Sequence, residues 1–296
     1  MKSYIMYYYN FDEIEITKKA EVYYFRNKNS LYSFETVKSP KKSEKLFSYL
    51  SQIGYHKGFK IIFNIYHNMF TNIEDKWYVL ILHSESDFNL LTEVLSPVIL
   101  PRNFFDFEHY SWDYLWSRKV DYYEYQISHF GQDYPLILES FNYYIGMAEN
   151  AISYLRYNIS SQQLRSLDMF LCHERISYSN YFNPTNFIMD FYARDVAEYI
   201  KFLFFSDSYH NFSFHTFFQS LNFSYSDYIL LYSRLLFPSY YFDIYDDIIN
   251  KKCNENKLKK VIYLQKDYQS FLYYIYKVII SFIYIPEVGW IRKEMS

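Results

Sequence analysis

His173, Asn180 and Asp190 are the residues of this chain whose types and spacing could do chemistry. They occur in Cys172-His173-Glu174-Arg175-Ile176-Ser177-Tyr178-Ser179-Asn180 and, ten residues beyond Asn180, in Met189-Asp190-Phe191. An amide and a carboxylate so placed can hold a divalent cation against phosphate oxygens. A run of the form His-x-Asp-x-x-x-x-Asn adds an Asp that orients the attacking hydroxyl in phosphoryl transfer. His173, Asn180 and Asp190 fill three of these four anchors, and Arg175 stands where the orienting Asp belongs.

That one residue weighs heavily, because phosphoryl transfer asks little of a protein beyond orienting the acceptor and neutralising phosphate charge. A guanidinium has five donors, no acceptor and a pKa above about 12, so Arg175 cannot take a proton or orient a hydroxyl. Glu174 is one position away, and on an extended segment it points to the opposite side. An active phosphotransferase would have to use Glu174 or another carboxylate as its base. Arg175 is expected beside Asn180 and Asp190, neutralising Asp190 in place of a metal.

Each neighbouring residue has a chemical and a structural reading. His173 reads as architectural, packing near the metal-binding strand. Asn180 and Asp190 are metal ligands if nucleotide binds, or else caps of the loop and of the following helix, which both residue types favour. Lys38 ends a predicted strand, where kinases place the lysine that pairs with nucleotide phosphates, and Glu44 on the next helix would be its ion-pair partner. The competing reading makes both solvated surface residues. No glycine precedes Gly54, so the loop that normally brings backbone against phosphate is missing.

The elements that must position these residues follow from the pattern. Residues 21–26 and 31–38 are β-prone runs separated by Asn27-Lys28-Asn29-Ser30, a hairpin signature. Leu46, Phe47, Leu50 and Ile53 fall at helical spacing after Pro40, with Gly54 as a stop. Residues 59–66 and 76–82 form a second strand pair joined by a polar turn around Asn72. Strands, a helix and more strands up to residue 85, a connection over 86–104, and a helical remainder over 105–296 predict a bilobal α+β chain. In the second part, helices are predicted at 111–130, 135–157, 193–205, 215–221, 226–236 and 266–280, and strand-like runs at 169–172 and 187–189. Trp112, Trp116, Tyr122 and Tyr125 are read as core more readily than as an exposed docking face.

Composition sets outer bounds. With 296 residues the chain can bury a sizeable core, and its 38 Tyr and 29 Phe against 5 Gly are the anomaly. An AT-rich coding sequence accounts for that bias; the competing reading is a functional aromatic surface, since tyrosine can also serve oxidative cross-linking in protective shells. A net charge of −3 gives no basic field for a nucleic-acid partner. Cys172 and Cys253 are too few for a disulfide framework and fit no metal spacing. The N-terminus runs into Asp12, Glu13 and Glu15 instead of a signal-peptide core. The apolar run 271–285 contains Lys277 and ends at Pro286, so it reads as a buried helix; no transmembrane segment is expected.

Several segments together resemble the kinase-like spore coat proteins of endospore-forming bacteria, in particular the YutH-type group of coat proteins similar to aminoglycoside and choline kinases. They are Glu149-Asn150-Ala151-Ile152-Ser153-Tyr154-Leu155, Cys172-His173-Glu174-Arg175, Asp190-Phe191-Tyr192-Ala193-Arg194-Asp195-Val196-Ala197-Glu198-Tyr199-Ile200, Arg234-Leu235-Leu236-Phe237-Pro238-Ser239-Tyr240-Tyr241-Phe242-Asp243 and Ile285-Pro286-Glu287-Val288-Gly289-Trp290-Ile291. The resemblance implies a bilobal, aminoglycoside phosphotransferase-like fold. It also implies synthesis in the mother cell, a place in the spore coat and other coat proteins as partners, in coat assembly or germination. Asp195 resembles the family residue that anchors the loop and starts the next helix. With the glycine-rich loop and the catalytic Asp both lost, the expectation is a pseudokinase with no cofactor. The alternative is an active small-molecule kinase using ATP and Mg²⁺.

Overall fold

The computed structural model describes residues 1–19, 22–55, 58–84, 89–101, 104, 111–178 and 180–293. The chain divides into two compact units, one of residues 1–92 with 173–188 and one of 93–172 with 189–296. The segment carrying His173 and Asn180 thus belongs to the first unit, and Asp190 to the second.

The first unit is an antiparallel sheet with two helices. In chain order its elements are α1 (Lys2–Tyr9), β1 (Ile16–Lys19), β2 (Val22–Asn27), β3 (Ser30–Thr36), α2 (Pro40–Gln52), β4 (Phe59–Ile62), β5 (Phe70–Ile73) and β6 (Lys76–His83). Strand order is β1-β2-β3-β6-β4, with β5 also on β6, and all these pairings are antiparallel. The expected hairpin is β2–β3, with Asn27 opposite Ser30 and Lys28 at φ 53° in its turn; the expected pair of the second half is β4–β6. Residue 21, where the first run was expected to begin, lies outside the described residues.

Two expectations need correction. Asn72 is not a turn residue but part of β5, paired with Trp77, and the tight turn falls at Glu74 and Asp75, both at positive φ. Residues 2–9, taken with the strand-rich first third, are helical: Ile5 and Tyr9, one turn apart, bury themselves with Phe25, Phe34, Tyr78 and Leu80. On α2, Leu46, Phe47 and Leu50 face inward while Ile53, already the C-cap, is exposed. Gly54 follows at φ 71°, the left-handed stop glycine allows.

The connecting stretch contributes α3 (Leu90–Val94) and β7 (Val98–Leu100); much of the rest of 86–110 lies outside the described residues. The second unit continues with α4 (Trp112–Phe130), α5 (Pro135–Asn158) and α6 (Ser161–Ser166). Strands β8 (Met169–His173) and β9 (Phe187–Asp190) follow, in a sheet of order β7-β8-β9. Helices α7 (Ala193–Phe205), α8 (Phe214–Ser220), α9 (Tyr225–Leu236), α10 (Ser239–Ile249), α11 (Leu258–Tyr263), α12 (Gln265–Ile280) and α13 (Gly289–Lys293) complete it.

Helix α5 buries the predicted face of Phe141, Ile145, Ala148, Ile152 and Leu155, and a second face through Tyr144, Met147, Ala151 and Tyr154. It is therefore a central helix of its unit. The apolar C-terminal run forms α12, packed inward by Phe271, Leu272, Ile275 and Ile279. Among the described residues no helix is long and apolar enough to cross a membrane.

Candidate functional site

In the second unit, β9 delivers Asp190 to the start of α7, and α4 and α7 bring the side chains that meet it. Asp190 is 5% exposed. Its Oδ1 accepts from Trp112 Nε1 at 3.0 Å and from the backbone N–H of Phe191 at 2.8 Å; its Oδ2 accepts from Arg194 Nη1 at 2.8 Å and from Trp112 Nε1 at 3.2 Å. A carboxylate offers about four lone-pair positions, and these contacts engage both oxygens. Arg194, in the first turn of α7, reaches back to Asp190 at the end of β9. A guanidinium, that of Arg194, therefore sits on Asp190.

The indole that serves Asp190 is itself held on all sides. Trp112 stacks on Trp116 at 5.5 Å, meets Phe191 edge-on at 5.7 Å, and carries the Arg234 guanidinium over its ring at 5.1 Å. Trp116 continues the stack onto Phe237 at 4.4 Å. Arg234 in turn grips Glu198 Oε1 through Nε at 3.1 Å and Nη2 at 2.9 Å, a pair buried on both sides. Burying such charges is costly unless they are paired and hydrogen-bonded. The network satisfies that condition and ties α4, β9, α7 and α9 together.

Cys172 lies against the same carboxylate strand. Its thiol points at the carbonyls of Asp190 and Phe191, at 3.6 and 3.4 Å. Burial pushes its pKa well up, and Asp195 and Asp190 add to that. Burial of this kind disfavours the thiolate form. Lys201, also buried, donates to the Phe237 carbonyl at 3.0 Å and to Ser239 Oγ at 2.9 Å. It closes the C-terminal end of α9, where a cation meets the negative end of the helix dipole.

In the first unit the 173–188 segment is organised by its own side chains. His173 is buried, stacked on Tyr181 at 4.1 Å and edge-on to Phe187 at 5.1 Å. Asn180 Oδ1 accepts from the backbone of Ser177 at 2.7 Å, which makes it a loop cap. Asn186 brackets Arg175: its Oδ1 accepts from Arg175 N at 3.2 Å and its Nδ2 donates to Arg175 O at 2.8 Å. The Arg175 guanidinium donates to the Glu174 carbonyl at 2.6 Å, and Glu174 is exposed.

The sequence reading missed the carboxylate that holds this segment. Glu35, on β3, is buried; its Oε2 accepts from Asn183 Nδ2 and Thr185 Oγ1, both at 2.7 Å, and its Oε1 accepts from Ser33 Oγ at 2.7 Å. Having given its hydrogen to Glu35, Ser33 accepts from His83 Nε2–H at 2.7 Å. Burial lowers the His83 pKa, with Glu35 opposing. A carboxylate in the middle of an aromatic strand was a faint signal, since its Asn183 and Thr185 partners lie about 150 residues on. Phe182 adds a steric fit: any Cβ on Gly58, itself at φ 68°, would collide with the Phe182 ring.

Lys38 lies past the end of β3 and is exposed, and Glu44 is exposed on α2; the two form no ion pair with each other. Trp112 and Trp116 are core, as read, whereas Tyr122 and Tyr125 are exposed at 55% and 62%. Among the described residues no group of three His, Cys, Asp or Glu side chains could hold a metal ion.

This α+β arrangement is that of aminoglycoside phosphotransferase-like kinases. The chain is similar to an aminoglycoside phosphotransferase from Alicyclobacillus acidocaldarius at a TM-score of 0.59 and 12% identity, covering 93% of this chain and 95% of that one. It is equally similar, at 0.59 and 11% identity, to a spectinomycin phosphotransferase in its AMP-bound complex, covering 90% and 93%. Residues 2–275 match the family described as "Spore coat putative kinase YutH", and the chain belongs to that family. It is 28% identical over 211 residues to the endospore coat-associated protein YutH of Bacillus subtilis (strain 168), a match spanning 62% of this chain and 62% of that protein, less than two thirds of its length.

Proposed function

We propose that this chain is a non-catalytic, kinase-fold protein of the bacterial endospore coat that acts by binding other coat proteins during coat assembly or germination. Membership of a spore coat family and similarity to a coat-associated protein support the location, with synthesis in the mother cell before the coat is complete. The observation that carries the non-catalytic part is the engagement of Asp190 by Trp112, Arg194 and the Phe191 N–H.

Asp190 and Asn180 are the residues that would hold Mg²⁺ with ATP, and Mg²⁺ demands near-ideal octahedral oxygen geometry. To serve it, Asp190 would have to release an indole and a guanidinium, and Asn180 the backbone it caps. When bound, the ion would supply charge neutralisation on the phosphates; Arg194 spends a fixed positive charge on Asp190 instead. Arg175 offers no acceptor, and Lys38 and Glu44 stand apart in solvent.

Thermal-shift titration with ATP and Mg²⁺ tests the proposal. A ligand bound only by the folded chain adds about 2.7 kcal/mol at a hundredfold excess over its Kd, so no change in midpoint is expected. A saturable rise would overturn the nucleotide-free reading.

A further inference from the structure

Tyr7 and Tyr66 meet on the surface of the first unit with their phenol oxygens 2.8 Å apart. Helix α1 turns Ile5 and Tyr9 inward, which leaves Tyr7 outside at 60% exposure. Tyr66 is 56% exposed and rides on a constructed turn. Buried Asn64 accepts from the backbone N–H groups of Tyr66 and Asn68, each at 3.0 Å, and donates to Thr71 Oγ1 at 3.1 Å. The same Thr71 hydroxyl bonds Tyr9 at 3.0 Å, and Ile65 N donates to the Tyr8 carbonyl at 2.8 Å. Helix end and turn are thus laced together directly beneath the two rings, and Tyr8 packs edge-on against both.

We propose that Tyr7 and Tyr66 form an oxidative cross-linking site, at which a haem-peroxidase-class oxidant with hydrogen peroxide converts the pair into an intramolecular dityrosine. Each phenol gives up one electron and its hydroxyl proton. The two ring radicals then join through one carbon–carbon bond between positions ortho to the oxygens, and the ring hydrogens at those carbons move to the oxygens and restore the phenols. The pair loses two hydrogens in all, and one peroxide is reduced to two waters. Both side chains are open to solvent, which takes each hydroxyl proton as the electron leaves. Two groups fixed on one folded surface react as if at a concentration above the millimolar level of a flexible tether, so coupling within the molecule outruns coupling between dilute molecules.

The test treats the intact, purified chain with a haem peroxidase and hydrogen peroxide, then maps joined peptides by mass spectrometry and follows dityrosine fluorescence. A peptide pair linking Tyr7 to Tyr66, two hydrogens lighter than the sum, is expected in monomeric protein, with a yield unchanged on roughly tenfold dilution. Tyr7→Phe and Tyr66→Phe, conservative changes at exposed positions, should each abolish that product, while Tyr157→Phe leaves it unchanged. Absence of the Tyr7–Tyr66 product, or a yield that falls in proportion to dilution, would overturn the assignment.

Discussion

Arg194 donates from Nη1 to Asp190 Oδ2 at 2.8 Å, four residues along the chain, and the pair is almost closed to solvent. Removing one partner of a buried pair costs about 3–5 kcal/mol because the other charge is stranded. Arg194→Ala is therefore expected to lower urea stability by an amount near the low end of that range, since Trp112 and the Phe191 N–H still serve the carboxylate. Arg194→Met with Asp190→Asn should cost less than the sum of the single changes, by roughly 0.5–3 kcal/mol. Strict additivity in this cycle would show that the two side chains are not coupled.

The indole N–H makes a separable contribution. Trp112→Phe keeps an aromatic ring between Trp116 and Arg234 but deletes the donor to Asp190 together with part of the packed indole. Hydrogen bonds to charged groups contribute about 1.5–3 kcal/mol, and a loss of at least that size is expected in denaturant unfolding. A change under about 0.5 kcal/mol, the level of an ordinary surface substitution, would mean that Asp190 does not depend on the indole.

Gly58→Ala meets two obstacles at once, a φ of 68° and the Phe182 ring. Alanine at positive φ destabilises by more than the 0.4–1 kcal/mol it gains by stiffening the unfolded chain. Phe182→Ala in the same molecule should relieve the collision with the ring, leaving the contact with the Phe182 Cβ and the backbone strain. A thermal-melt cycle that shows no rescue would mean that the ring is not what opposes the added Cβ.

Strands β8 and β9 and most long helices were legible because apolar spacing and capping residues agree there: Ala193–Phe205 was read to the residue. Helix α1 was not, because in Lys2-Ser3-Tyr4-Ile5-Met6-Tyr7-Tyr8-Tyr9 the aromatic side chains that favour strands hide the Ile5 and Tyr9 spacing that buries one face. The same aromatic bias concealed α10, where Tyr241, Phe242 and Tyr245 are core. Arg194 could have been recognised as the first cation that follows Asp190 in the chain. Glu35 could not, since nothing local distinguishes a buried strand carboxylate whose partners arrive from the far end of the chain.

His83 gives the first unit a pH dependence of defined sign. Burial holds its folded pKa below the ordinary value of about 6.5. The unfolded chain then binds this proton more readily, so the contribution is fully present above about 6.5 and is lost as pH falls through the lower folded value. Stability measured by chemical denaturation should decline across that interval, and His83→Gln should flatten the decline. An unchanged slope would assign it to other groups.

Buried phenols act at the opposite end. Burial raises Tyr9 and Tyr241 to about 12, against weaker lowering by Thr71 and Ser140. Folded values above the unfolded one, about 10, supply stability below pH 10 that is lost as pH rises toward 12. In an alkaline titration, phenolate absorbance from this set should appear together with loss of near-ultraviolet circular dichroism. Its appearance at about pH 10 with the fold intact would contradict the burial of these hydroxyls.

Whether Asp190 and the 173–188 segment are committed to the protein's own packing is decided most directly by γ-phosphate release and transfer from ATP with Mg²⁺, measured on the intact chain with amino-alcohol, aminoglycoside and sugar acceptors. Loss of one general base costs about 10²–10⁴-fold, and poor phosphate positioning adds to that. The expected result is therefore no turnover above the buffer blank. Turnover near 1 s⁻¹, the lower end of the usual kinase range, abolished by Glu174→Gln, would contradict a non-catalytic role and make this chain an active kinase.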